Sequence, residues 1–332
     1  MSQNLVDRFL RWVVGAIAFA ALLYVGGSLW VGMDKVGDAL AMFEWVYIIP
    51  MALLTLTNYG LRFVKWHYLV RLLGVEMPLG ENAWNFMSGL AMVISPGKAG
   101  ELLKPYVVRA RTGTPMATTI PALVGERITD GIAMLALAGI GITTYAADKV
   151  HYLAIPAAII IVGLLVLSNK RLTMLCVDIV AKVPFIGRAA PKLREMVVAA
   201  RVVLAPVPLV VSIALSLVAW FAECIAFWLT FKGLGVAASI EMSTFIYAFS
   251  TVAGAAMPGG LGVSDGAMAA GAVTLMGQPE GIAVAASLLV RAVTLWLGVF
   301  LGALALFKVS SMLGGKIELR AAPEAPPESA AP

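Results

Sequence analysis

Residues 95–130 read SPGKAGELLKPYVVRARTGTPMATTIPALVGERITD. Lys98, Glu101, Lys104, Arg109, Arg111, Glu126, Arg127 and Asp130 spread charge through this stretch, yet apolar segments flank it closely on both sides. In a soluble protein it would be an ordinary loop and helix. Here hydrophobic residues make up 61% of the 332 positions and charged residues 13%. A soluble domain carries about 25% charge. The stretch therefore reads as polar machinery held inside a membrane.

On either side of this stretch, several uncharged runs approach or reach the ~17–25 residues that cross a bilayer. They are Trp12–Val31, Trp45–Leu61, Gly131–Ala147, Tyr152–Asn169, Val202–Ala222 and Ala292–Phe307 with its apolar lead-in from Gly281. These predict an all-α polytopic membrane protein; a barrel would show short alternating segments. The apolar run after Arg8 and Arg11 continues to Val31, too long for a signal core, and reads as an uncleaved first span. One transmembrane domain is predicted over 1–320, with a proline- and alanine-rich tail, 321–332, expected to be disordered.

The net charge of +5 reports orientation. No aqueous domain carries a basic cluster that would suit nucleic acid. With both termini in the cytoplasm, nearly all Lys and Arg fall inside. The connection 170–205 then lies on the cytoplasmic side as short helices or a solvated linker attracted to anionic lipids. Arg62 reads as a side chain that either snorkels to the interface or points into the protein. Cys176 and Cys224 read as small buried hydrophobes.

The stretch opens with a predicted hairpin, 82–111, broken at Pro96-Gly97. Non-helical backbone survives at membrane depth only when protein buries it or it lines a wet cavity. The span that follows, Thr112–Ala147, contains Pro115 and Pro121 and is predicted to be kinked or broken. A second hairpin, 242–277, echoes the first. Arg71-Leu-Leu-Gly74-Val75 is matched by Lys232-Gly-Leu-Gly235-Val236, and Pro96-Gly97 by Pro258-Gly259. Gly113-x-Pro115 is matched by Gly277-x-Pro279, and each of these prolines is followed 12 residues later by an arginine, Arg127 and Arg291. The units cover about 45–147 and 207–308. Three crossings separate their starts, so the pattern predicts an inverted repeat, with a binding site at the repeat interface near the midplane.

Charges at mid-membrane are costly and face a bundle interior, a partner or water. Glu126 and Asp130, four apart, share a helical face, and Arg127 lies three before Asp130, so an Arg127–Asp130 pair is expected. Arg291 has no acid within four positions, and Glu223, Asp265 and Glu101 are its candidate partners. Ion pairs that merely tie helices together are one reading. The other is that Arg127 and Arg291, with Lys98 and Lys104, hold an anionic headgroup, since guanidinium forks suit phosphate oxygens. The acids Glu101, Glu126, Asp130, Asp265 and Glu223 would balance charge, take up protons or meet a cationic headgroup. Pro96, Gly97 and Gly100, with Pro258, Gly259, Gly260 and Gly262, would form the hinges whose backbone N–H groups approach the anion. No catalytic constellation is evident, no His/Cys/Asp cluster has metal spacing, and no cofactor is called for.

Pro96-Gly-x-x-Gly-Glu101, Glu126-Arg127-x-x-Asp130 and Pro258-Gly-Gly-Leu-Gly-Val-x-Asp265-Gly resemble the membrane domain of the lysylphosphatidylglycerol synthase/flippase family. The resemblance covers about 45–308. It departs at Ser264-Asp265, where that family would carry a basic residue followed by Glu. It implies movement of an anionic or modified phospholipid between leaflets of the bacterial inner membrane, by a stand-alone member without the soluble synthase domain. The alternatives are a membrane enzyme acting on lipid or polyprenyl phosphates, or a non-transporting partner of a lipid-modifying enzyme.

Overall fold

The computed structural model describes residues 31–145, 150–181 and 190–313, together with isolated positions before 31. Most of the predicted first span and the whole 321–332 tail lie outside the described residues, as does the side chain of Cys176. The described residues are helical and contain no strand.

Helix α1 (Met33–Met42) leads through a 3-10 turn (Trp45–Tyr47) into α2 (Ile48–Leu72) at a bend of 76°. A hairpin follows: α3 (Leu79–Ala91), a stretch of 3-10 turns and extended backbone, and α4 (Leu103–Thr112). Next come α5 (Met116–Tyr145), α6 (Val150–Ser168), α7 (Lys170–Ala181) and α8 (Ala190–Val203). The pattern then recurs with α9 (Pro206–Gly233), α10 (Ile240–Ala253), a glycine-rich break, α11 (Val263–Thr274), and α12 (Glu280–Arg291) running through a π-turn (Ala292–Trp296) into α13 (Leu297–Met312).

The local chemistry of the recurrence is visible where α2 and α9 stop. Gly74 and Gly235 take left-handed φ values of 74° and 70°, which an L side chain resists. In both, a valine beyond the glycine reaches back to close the last turn: Val75 N–H to Val70 C=O (3.3 Å) and Val236 N–H to Phe231 C=O (2.9 Å).

Packing crosses between the two halves of the chain. α3 lies along α13, α10 lies along α5, and α2 lies along α9. Two large apolar cores result, beside a small cluster of Val36, Ala39 and Ala285. Trp66, Phe86, Met92, Val107 and Leu306 belong to one, and Phe227, Phe231, Phe245, Met134 and Met268 to the other. Large apolar side chains also cover the outside; Ile159, Val207 and Phe300 are each at least 60% exposed. An outward apolar coat with polar residues gathered inside is the arrangement that lipid favours. α9 and the Glu280–Met312 rod are long and apolar enough to cross a membrane.

The structure decides three expectations that the sequence leaves open. The span at Thr112–Ala147 is not broken: α5 is one continuous helix from Met116, with Pro121 inside it. Thr112 instead ends α4, and Gly113 (φ 76°) makes the turn. The connection 170–205 takes the short-helix form of its two readings, as α7 and α8, and α8 packs along α5. Thr118 Oγ1 donates to the Glu195 carboxylate, and Val203 occupies the space beside Gly125 that a side chain would need. Arg62 does not snorkel outward; it is buried, with its guanidinium 5.2 Å from the Trp220 ring.

Candidate functional site

Between the two apolar cores lies a cavity of about 380 Å³, bordered by Phe86 and Leu90 on one side and Met134 and Tyr247 on the other. Its basic lining groups are Arg62, Lys104, Arg127 and Arg291, and its acidic ones Glu101, Glu126, Asp130 and Glu223. Arg127 and Arg291 thus face one common space.

Each helix contributes for a local reason. On α5, Glu126, Arg127 and Asp130 project together by helical spacing. Arg127 Nε lies 3.2 Å from Glu101 at the hairpin break, and its terminal nitrogens lie 3.5 Å from Glu126 and 3.9 Å from Asp130. Lys104 on α4 reaches Glu126 at 2.5 Å and lies 4.3 Å from the Trp66 ring centroid. The aromatic face and the carboxylate together compensate an almost fully buried ammonium.

Asp130 is served from α2. Lys65 Nζ meets Asp130 Oδ1 at 2.5 Å and donates to Ser216 Oγ at 2.7 Å, while Arg62 Nε lies 3.8 Å from Asp130 Oδ2. Sequence reasoning missed Lys65 altogether, although it is completely buried. The spacing Arg62-x-x-Lys65 was the available signal, since it puts both cations on one face of α2.

In the second half, Arg291 Nε lies 2.8 Å from Asp265 Oδ1, and Arg291 also donates to the Gly259 carbonyl. Of the three candidate partners, Asp265 is therefore the one in contact. Asp265 stands behind Arg291 and is not part of the cavity lining. Its second oxygen accepts from the Gly262 N–H at 2.8 Å, capping α11. The π-turn that follows Arg291 leaves the Thr294 carbonyl to accept from Tyr59 Oη. Glu223 Oε2 accepts from Tyr247 Oη at 2.6 Å.

The hinge positions behave differently from the expected anion cradle. The Gly100 N–H donates to Ser95 Oγ (2.9 Å), the Gly262 N–H to Asp265, and the Gly260 N–H to the Met257 carbonyl (3.0 Å). These donors are already satisfied within the chain. At the second break the backbone offers arginine a carbonyl, not an anion an amide. Gly259 and Gly260 line the cavity, whereas Gly100, Pro258 and Gly262 do not; Pro96 and Gly97 lie outside the residues whose surroundings are described. Gly254 and Gly260 are required for closeness, because a Cβ on either would run into Ser264. The side chain of Lys98 lies outside the described residues.

An apolar exterior around a charged, two-sided interior cavity defines a polytopic helical membrane protein. The chain belongs to the lysylphosphatidylglycerol synthase transmembrane-region family, whose pattern matches residues 12–302. Two UPF0104 membrane proteins of Methanothermobacter thermautotrophicus resemble it along nearly their whole length. One is 25% identical over 324 residues, 90% of this chain and 93% of the relative. The other is 23% identical over 331 residues, 92% of this chain and 96% of the relative. Glycosyltransferase AglD of Haloferax volcanii is 24% identical over 136 residues, which are 41% of this chain and 22% of that protein.

Proposed function

We propose that the protein is a lipid translocase, moving an anionic or modified phospholipid between leaflets through the cavity. The observation that carries this reading is that Arg127 and Arg291, matched in sequence, line one cavity between the two halves. The recurring helix order, the paired left-handed glycines and the crosswise packing of α3 on α13 and α10 on α5 support an inverted repeat. Two similar halves around one site are suited to exposing it to each side in turn. In this proposal the chain sits in the bacterial inner membrane with both termini cytoplasmic, and Arg127 and Lys104 take the headgroup oxygens.

The name of the Haloferax relative favours a second reading, an enzyme acting on lipid phosphates. The matched segment is only 22% of that protein.

Proteoliposomes carrying a fluorescent phosphatidylglycerol separate the two readings. Faster leaflet exchange than in empty vesicles, reduced by Arg127→Ala, supports translocation. Exchange equal to that of empty vesicles, with a new covalent lipid species by mass spectrometry, would sink it.

A further inference from the structure

Every basic group that lines the cavity already has an acid: Lys104 has Glu126, Arg127 has Glu101, Arg62 has Asp130, and Arg291 has Asp265. Glu223 is left over. It is 4% exposed, lines the cavity, and among the described residues forms no ion pair. Among the described residues its carboxylate accepts one hydrogen bond, from Tyr247 Oη to Oε2.

The groups facing it come from each helix packed along the middle of α9. α2 presents Tyr59 and Arg62, α5 presents Asp130, α10 presents Tyr247, and α12 presents Arg291. The turn at Trp45–Tyr47 meets the far end of α9, where the Glu44 N–H donates to Gly233, and α8 joins its beginning. The two nearby cations are held elsewhere, Arg62 towards Asp130 and Arg291 by Asp265 and the Gly259 carbonyl.

A buried carboxylate without a cation must be met by one, or by a proton. A hard metal ion needs several oxygen ligands, and no group of three His, Cys, Asp or Glu gathers among the described residues.

We propose that Glu223 is the proton-binding site of the transport cycle. This rests on the translocase reading. The carboxylate takes a proton from water on one side of the membrane, forming an O–H bond at Oε1, and gives it back to water on the other side. Moved together with a singly anionic headgroup, one proton makes the step electroneutral.

The test uses the full chain in phosphatidylethanolamine–phosphatidylglycerol vesicles containing fluorescent phosphatidylglycerol, with a gradient of about one pH unit. One proton per lipid supports up to about tenfold enrichment in the leaflet facing the alkaline side, since one pH unit is a factor of ten. Wild type is expected to enrich the lipid, and Glu223→Gln to equilibrate it without enrichment. Equal enrichment by Glu223→Gln, equilibration by wild type regardless of the gradient, or a response to sodium in place of protons would each overturn the assignment.

Infrared spectroscopy supplies a readout that does not need transport. Wild type is expected to show the carbonyl stretch of a buried protonated carboxylic acid, and Glu223→Gln to lose it. If no lipid moves but this difference is present, the translocase reading falls and the proton site stands; if the difference is absent, the site falls. Should Glu223→Gln not fold, Tyr247→Phe is expected to shift the band, and an unshifted band counts against the site.

Discussion

Asp265 holds Arg291 at 2.8 Å with one carboxylate oxygen and caps α11 through the Gly262 N–H with the other. One side chain thus neutralises a buried guanidinium and shapes the helix start beside it. Both side chains are about nine-tenths buried. Removing one partner of such a pair leaves the other charge uncompensated, at a cost of about 3–5 kcal/mol. Asp265→Asn keeps an oxygen for the cap but loses the charge, so a loss of about 3 kcal/mol is expected. Asp265→Ala loses the cap as well, for about 1 kcal/mol more. Denaturant titration in micelles checks the order; equal stability of both variants and wild type would show that the contact does not operate.

The Lys65–Asp130 pair leads to an asymmetric expectation. Asp130→Asn takes from Lys65, which is fully buried, its one direct ion-pair partner among the described residues, leaving hydrogen bonds to Ser216, Thr129 and the Glu126 backbone carbonyl. Lys65→Met leaves Asp130 with Arg62 at 3.8 Å and Arg127 at 3.9 Å. Asp130→Asn should therefore cost the more, about 3–5 kcal/mol. The double variant Lys65→Met/Asp130→Asn should recover much of the loss, a coupling typical of contacting residues. Purely additive losses in a double-mutant cycle would contradict the pairing.

This contrast also explains what the sequence could tell. Gly74, Gly113, Gly235 and Gly277 all adopt left-handed φ, and such turns are set by residues adjacent in the chain. The hairpins and their echo were accordingly legible. The Arg127–Asp130 contact was legible for the same reason, being three residues apart on one helix. Lys104 to Glu126 and Lys65 to Asp130 join different helices, and only the packing decides which acid meets which base. Pro121 left a kink and a break equally open, because proline disturbs a helix interior in either way, and α5 continues through it without a break. Asp265 was visible as one of three candidate partners for Arg291, and only the way α11 and α12 lie together selects it from Glu223 and Glu101.

Gly302 is expected to be intolerant. A Cβ there would collide with the Ala91 backbone nitrogen, and it would lie 2.8 Å from Ala91 Cβ and 2.9 Å from the Met87 carbonyl. Backbone atoms cannot rotate away, so Gly302→Ala must push α13 off α3. Overpacking of this kind costs about 1–3 kcal/mol. Gly139 is the matched control, because a Cβ added there would meet nothing within 4 Å. Gly139→Ala should not lower stability, because alanine is the better helix former. Similar melting losses for the two variants would argue against the tight α3–α13 contact.

The two arginines at matched positions should separate when each is replaced by lysine, which keeps the charge but loses the planar fork. The Arg127 side chain is 31% exposed, whereas Arg62, Lys104 and Arg291 are at most 10% exposed. Under the proposed function, Arg127 is thus the cation that an entering headgroup would meet first. Arg127→Lys should change stability by less than about 1 kcal/mol, as partly exposed pairs do. Lipid exchange should fall about tenfold, the equivalent of roughly 1.4 kcal/mol from a lost bidentate contact. Arg291 spends its fork on Asp265 and the Gly259 carbonyl. Arg291→Lys should therefore cost about 1–3 kcal/mol of stability, as lost charged hydrogen bonds do, and exchange per folded molecule should stay closer to wild type. Melting curves and exchange rates measured on the same preparations decide it. Equal stability losses, or exchange lost only in Arg291→Lys, would reverse the roles of the two residues.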